Sequence, residues 1–519
     1  MDTKKLLSLI IVSLCGFFRN ADAQNPDWKW VKWSDGTQTT VRSIVADASG
    51  NIYATGTFQL QTKFDTTTVK VTYNAAFVVK YDKDGVRKWV TTIKNTGYAA
   101  TDCKSMAIDE SGNLYITGAY KGTIESGSKT LTSAGDAHYL AKIDNNGVAQ
   151  WIINTSGSRA VAANTSGVYV AGGKIIEKFD AAGTTGWKVT GVAKNGGYTD
   201  FYSIAINKTG NLVLAGDIDG EYTFGTKVAP AGFQDIILME MNTDGTVNWA
   251  KTFGDKSNGG DHAQYLTTDA SDNIILTGKI GSATKFDAVN LASKNGYLVK
   301  FNSAGVAQWG TLMTATASIY GEGGMSLAVN KDGDVYVTGG CGGAALTDGG
   351  SKTYLKSLTG LNAFILKFSS SGEFKSVLTN KEQTTGGNSR GMALAASAAG
   401  VYFGGVCAPS SEWGTLKVTG YGSVFSKIED GTTQGGIKNS KITEIISVYP
   451  NPSRGIFNLN LKNINEGNIS IVNTLGEIVY QSEVNNQSSV LDLSNYPKGI
   501  YFLQLKTRDS LITAKLATE

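Results

Sequence analysis

Residues 27–33 read DWKWVKW and residues 87–93 read RKWVTTI, with Trp30 standing where Trp89 stands. The second stretch overlaps the end of a longer unit, FVVKYDKDGVRKW at 77–89. That unit recurs as YLAKIDNNGVAQW at 139–151, IIEKFDAAGTTGW at 175–187, ILMEMNTDGTVNW at 237–249 and YLVKFNSAGVAQW at 297–309. Trp89, Trp151, Trp187, Trp249 and Trp309 each follow Lys80, Lys142, Lys178, Glu240 and Lys300 by nine residues. A sixth copy, FILKFSSSGEFKS, places Ser376 where tryptophan is expected. A seventh, VFSKIEDG at 424–431, stops before its last strand. The region therefore opens with an orphan closing strand, and its repeats finish one closing strand short.

A second motif precedes each unit: DASGNIYATG at 47–56, DESGNLYITG at 109–118, NKTGNLVLAG at 207–216, DASDNIILTG at 269–278 and NKDGDVYVTG at 330–339. Alternating segments flank it, such as SMAID at 105–109. The leading Asp or Asn bonds the backbone two residues on, and the following Gly supplies the left-handed conformation of a hairpin. The acid has a structural role, so calcium is not expected at these turns. Two hairpins per unit make a four-stranded antiparallel sheet. If the orphan strand completes the seventh sheet, the ring closes and no edge stays open. The fold expected is all-β: a seven-bladed β-propeller closed by its N-terminal strand.

The marker positions 80, 142, 178, 240, 300, 367 and 427 lie 62, 36, 62, 60, 67 and 60 residues apart. The third unit is a bare blade. The others carry extra residues between second and third strands, such as AYKGTIESGSKTLTSAGDAH at 119–138. Insertions at one place project from one face, where a ligand is expected.

The unit SIAxDxxGNxYxTG…FVxKxDxxGxxxW resembles the bacterial secreted seven-bladed propeller repeat, often found in multidomain proteins of the Bacteroidota, over about residues 27–430. After a Gly-rich linker at 431–441, residues 442–519 run YPNP…GxFxLxL…NxLGxxVY…LDLSxxxKGxYxLxL. Their strands and turns read as a small C-terminal β-sandwich. The order is similar to the type A C-terminal sorting domain of the type IX secretion system. The resemblance implies that the secretion machinery is a partner and that the product is secreted or attached to the outer surface. At the other end, Lys4 and Lys5, an apolar run and Ala21-Asp-Ala23 read as a signal peptide over 1–23. No other stretch reaches transmembrane length, so no span is expected in the mature protein.

Only 18% of residues are charged and the formal net charge is +3, which gives no reason to expect nucleic acid as a partner. Cys103, Cys341 and Cys407 remain after the signal. An odd count is no disulfide framework; a Cys341–Cys407 bridge is conceivable, and three buried thiols are the plainer reading. Gly-x-x-x-Trp endings also occur in pyrroloquinoline quinone dehydrogenases. Those propellers have one more residue between Asp and Gly, typically eight blades and a cysteine pair. The tryptophans here are better explained by packing between blades, and no cofactor or metal is expected. No hydrolase arrangement stands out: His-Glu-x-x-His is absent, Gly-x-Ser-x-Gly occurs only as GNSRG at 387–391 without the strand-turn-helix context of an elbow, and Asp261-His262 has no assignable partner, so no catalytic residues are named. Asp102, Asp200, Asp261 and Glu322 stand just before first strands. They either ring the channel mouth as a cation or sugar site or bond their own loop amides. Tyr98, Tyr120, Tyr198, Tyr320, Tyr354 and Trp413 fall in loops of the same face. The leading expectation is a non-enzymatic scaffold that binds an extracellular glycan or protein. A polysaccharide hydrolase or lyase, or a surface spacer, stands as the alternative.

Overall fold

The computed structural model describes residues 27–429 and 446–519, apart from 37, 231, 255–259, 293–294, 316–317, 321–324, 344, 351, 357–359, 382–387, 462–466, 475–476, 485–487 and 507–510. The signal-peptide and linker readings lie outside the described residues. The chain divides into two compact units, Gln24–Gly431 and Thr432–Glu519.

Among the described residues of the first unit, the main strands pair antiparallel into seven four-stranded blades. Blade 1 comprises Thr40–Ala46, Ile52–Phe64, Thr67–Tyr81 and Arg87–Asn95. Blades 2 to 6 follow over 105–155, 160–190, 198–253, 262–315 and 326–379. Blade 7 takes Arg390–Ser397, Gly400–Cys407 and Gly422–Glu429 from one end of the repeats and Asp27–Asp35 from the other. Trp30 lies opposite Lys427, as Trp89 lies opposite Lys80 and Trp151 opposite Lys142. The orphan strand thus occupies the vacant place in register.

Each blade interface holds one apolar cluster. Tyr53, Val78, Met106 and Ile116 pack blade 1 on blade 2, and Val41, Ile44, Ala393, Tyr402 and Phe425 pack blade 7 on blade 1. Each fully buried side chain of this kind contributes about 2 kcal/mol. At the axis, serine hydroxyls join first strands of neighbouring blades: Ser203 Oγ accepts Leu266 N–H at 3.0 Å and Ser326 Oγ accepts Leu394 N–H at 3.0 Å.

The tryptophans are latches between blades. In five of them the indole N–H donates to a carbonyl in the turn between third and fourth strands of the next blade. Trp30 reaches Lys83 at 3.0 Å, Trp89 Asn145 at 2.9 Å, Trp151 Ala181 at 3.2 Å, Trp187 Thr243 at 2.9 Å and Trp309 Ser370 at 3.1 Å. The left-handed glycine of that turn lies flat on the ring. A Cβ at Gly85, Gly147, Gly183, Gly245, Gly305 or Gly372 would come within 2.7–3.3 Å of the indole. The exception at Ser376 follows from closure. A latch from blade 6 would need a third-to-fourth-strand turn in blade 7, and there those strands come from opposite ends of the domain.

The inserts are hairpins, and blade 3 has only a tight turn at Gly172-Gly173-Lys174. They also do work that repeat spacing does not show: several bond the end of the preceding blade's last strand. Lys94 and Asn95 pair with Glu125 and Ile124, Val192 and Ala193 with Thr223 and Tyr222, and Thr314 and Ala315 with Thr347 and Leu346. Tyr120, Tyr354 and Trp413 are consequently buried in interblade clusters, whereas Tyr98 and Tyr198 are exposed. Cys103, Cys341 and Cys407 are buried free thiols, so Cys341 and Cys407 are not bridged.

In the second unit, a sheet of Ile446–Tyr449, Ile456–Leu461 and Ser488–Asp492 and a sheet of Asn468–Val472, Ile478–Glu483, Gly499–Lys506 and Leu511–Thr518 share one core. Phe457, Leu459, Ile471, Leu491, Leu503 and Leu516 form its centre, the arrangement of a small β-sandwich.

Candidate binding site at the channel mouth

The first strands line the propeller axis. In blades 1, 4, 5 and 7 they carry a one-residue bulge, between Val41 and Ser43, Phe201 and Ser203, Ala263 and Tyr265, and Gly391 and Ala393. A bulge turns its extra side chain away from the ladder. The bulged residues are Arg42, Tyr202, Gln264 and Met392. In blades 2, 3 and 6 the matching residues stand just before the strand. Their amides donate to the second strand: Lys104 to Thr117 O, Arg159 to Ala171 O and Met325 to Thr338 O. All seven residues line one cavity of about 200 Å³. The cavity lies at the end from which the inserts rise, because Thr40 pairs with Thr57 and that second strand runs on to Phe64.

The seven positions are unequal. Blades 1, 2 and 3 contribute Arg42, Lys104 and Arg159; blades 6 and 7 contribute Met325 and Met392. Arg42 is exposed and has no hydrogen bond or ion pair among the described residues. Lys104 Nζ lies 2.6 Å from Asp102 Oδ2. Arg159 Nε donates to Asp200 Oδ2 at 2.9 Å, and its guanidinium carbon sits 5.3 Å from the Tyr202 ring centroid. The Tyr198 hydroxyl donates to the same Asp200 oxygen at 3.1 Å and meets the Tyr202 hydroxyl at 3.2 Å. Burial works against the Arg159 charge, but Asp200 and the two tyrosines outweigh it and raise the pKa. Burial raises the Tyr202 pKa as well, with the Tyr198 hydrogen bond, Asp217 and Asp200 adding to it.

Of the acids expected from sequence, Asp102, Asp200 and Asp261 do not line this cavity. Asp102 Oδ1 accepts Ala119 N–H at 2.7 Å and Asp200 Oδ1 accepts Gly173 N–H at 2.5 Å. Asp261 is fully buried; its Oδ1 accepts Gly281 N–H at 2.7 Å. Glu322 lies outside the described residues. Asp102 and Asp200 hold cations of the cavity wall, and each is tied from behind to a backbone amide, Ala119 in a second strand and Gly173 in a tight turn. His262 pairs with Asp217, at 2.6 Å between Nδ1 and Oδ2. Burial raises the Asp217 pKa, with His262 opposing. The turn aspartates are saturated by their own loops: Asp109 accepts the amides of Ser111 and Asn113, the Asn113 side chain and the Tyr115 hydroxyl. Among the described residues, no group of three or more His, Cys, Asp and Glu is placed to hold a metal ion.

This is a β-propeller whose second unit is an export address. Residues 447–519 match the family model of the secretion system C-terminal sorting domain, which marks type IX export to the cell surface or the medium. The chain is 32% identical over 68 residues to an ulvan lyase of Nonlabens ulvanivorans, covering 13% of each protein. It is 23% identical over 410 residues to an uncharacterized WD repeat-containing protein of Acanthamoeba polyphaga mimivirus, covering 64% of this chain. The chain spans 13% and 27% of the length of these two relatives. Among solved structures it is similar to the Neurospora crassa Pan2 WD40 domain, with 11% identity, a TM-score of 0.32, and coverage of 63% of this chain and 89% of that one.

Proposed function

We propose that the propeller is a non-enzymatic binding scaffold, surface-attached or released, that holds an extracellular glycan or protein on its insert face. The observation that carries this reading is the distribution of exposed aromatics. Tyr73, Tyr98, Tyr198, Phe233 and Tyr421 are 44–83% exposed; four belong to inserts or to a loop between blades on that face, and Tyr198 opens a first strand there. In the third-to-fourth-strand turns of the opposite face, the large exposed apolar residues are Val86, Val148 and Val306. Planar side chains with a polar tip suit recognition of sugars and proteins alike. The channel mouth opens among them.

A polysaccharide hydrolase or lyase is the second reading, favoured by the half-buried His262–Asp217 pair. The segment shared with the ulvan lyase is too short to carry an activity across. A glycan array combined with turnover assays separates the two. Binding without product supports the scaffold; release of new reducing ends or of unsaturated sugars refutes it.

A further inference from the structure

We infer that the channel mouth is an oxyanion site that takes the carboxylate or sulfate of an acidic sugar, a reading that deepens the binding role proposed above. Three cationic side chains occupy one equivalent position on three consecutive blades and share a cavity of about 200 Å³. Arg159 is prepared for this task. Asp200 takes its Nε, Tyr202 covers its guanidinium face, and both Nη groups have no hydrogen-bond partner among the described residues. A guanidinium fixed in this way presents a planar fork that matches an oxyanion bidentately. Arg42 has no partner to surrender. Asp102 and Asp200 stand outside the cavity, so three cations face it against two carboxylates set behind them.

The other walls narrow the ligand class. Gln264 offers an amide, Tyr202 and Tyr265 offer rings, and Met325 and Met392 form an uncharged side. An inorganic anion would use only the cationic side. A uronic acid or sulfated sugar brings an oxyanion to the cations, hydroxyls to the amide, and a C–H face to the rings and thioethers. An acidic peptide offers the charge without that combination.

The test titrates the intact protein with four probes: an oligogalacturonate, a chondroitin sulfate oligosaccharide, a neutral dextran oligosaccharide and a polyglutamate peptide. Inorganic sulfate is titrated separately. The native protein is expected to bind the two acidic sugars and to lose affinity as salt rises. Arg42→Gln, at an exposed residue with no partner, is expected to keep the thermal midpoint and weaken acidic-sugar binding by about tenfold, the loss of one charge-assisted hydrogen bond. Arg159→Lys keeps the charge but loses the fork, and is expected to weaken it by a similar factor. Equal affinity for neutral and acidic sugars, preference for polyglutamate, binding of sulfate alone, or indifference to Arg42→Gln would each overturn the inference. Neutral-sugar binding at the insert face without any effect of Arg42 would leave the scaffold role standing. Acidic-sugar binding accompanied by turnover would leave the oxyanion site standing and sink the scaffold.

Discussion

The latch between blades makes a quantitative prediction for Gly147 and Trp89. Gly147 has φ +83°, a left-handed conformation that costs alanine about 1 kcal/mol. Its substitution also places a Cβ 2.8 Å from Trp89 Cδ2 and 2.9 Å from Cε3, overpacking that costs about 1–3 kcal/mol more. Gly147→Ala should therefore destabilise by about 2–4 kcal/mol in the native background. In a Trp89→Ala background the ring is gone and only the backbone cost of about 1 kcal/mol remains. Trp89→Ala alone should cost about 2–3 kcal/mol, below a fully buried tryptophan because the side chain is only partly buried. The double variant should then be less destabilised than the sum, with a coupling of about 1–3 kcal/mol. The assay is equilibrium unfolding in urea followed by circular dichroism, with fluorescence as a second probe for coincident transitions. If Gly147→Ala costs the same in both backgrounds within about 0.5 kcal/mol, the latch is not a physical contact.

Further consequences are testable. Ser376→Trp restores the repeat consensus but gives the indole no turn to grip, so the thermal midpoint should stay unchanged; a clear stabilisation would mean a receiving turn exists. Burial pushes the Cys103 thiol up to about 12, with a Thr55 hydrogen bond opposing, and burial alone does the same at Cys341. Neither thiol should react with iodoacetamide at pH 8.5 until the protein unfolds, and rapid labelling of the native state would contradict this. Burial opposes ionisation of Asp269, yet Asn273 and Lys300 hold its carboxyl below the ordinary 3.8; Lys375 and Lys367 do the same for Asp334. These depressed carboxyls contribute stability that is complete above 3.8 and lost as pH falls through the folded values. Urea midpoints should hold down to about pH 5 and fall below pH 4, less steeply in Lys300→Met; a midpoint constant to pH 3 would contradict the account.

The blade repeat was legible in sequence because its turns need particular residues: Asp or Asn to bond the loop amides, Gly at positive φ, and Trp to reach a neighbour. Closure was legible from Trp30 in the opening strand together with the seventh copy at 424–431, which stops one strand short. The inserts were legible as insertions but not as seals, since pairings such as Lys94 with Glu125 join different blades and leave no period in the chain. The same blindness explains the buried Tyr120, Tyr354 and Trp413, which resemble loop aromatics until neighbouring blades enclose them. The channel cations are less legible, because the polar residues that stand out before the first strands, Asp102 and Asp200, lie two residues from the lining positions Lys104 and Tyr202. A signal was present. Aligned on the serines of SIV, SMA and SIA, the preceding column reads Arg42, Lys104 and Tyr202, varying where its neighbours repeat. Variation within a structural repeat marks what the fold does not require.

Closure by the first strand is tested most directly by a covalent trap. Val31 and Ser426 are cross-strand partners in blade 7, and the native thiols are buried and unbridged. In the double variant Val31→Cys/Ser426→Cys, oxidation should form an intramolecular disulfide between positions 31 and 426, identified by peptide mass spectrometry and absent from either single variant. Two free thiols in the folded, oxidised protein, or a bridge from position 31 to any other site, would show that the tryptophan-bearing strand does not seal the ring.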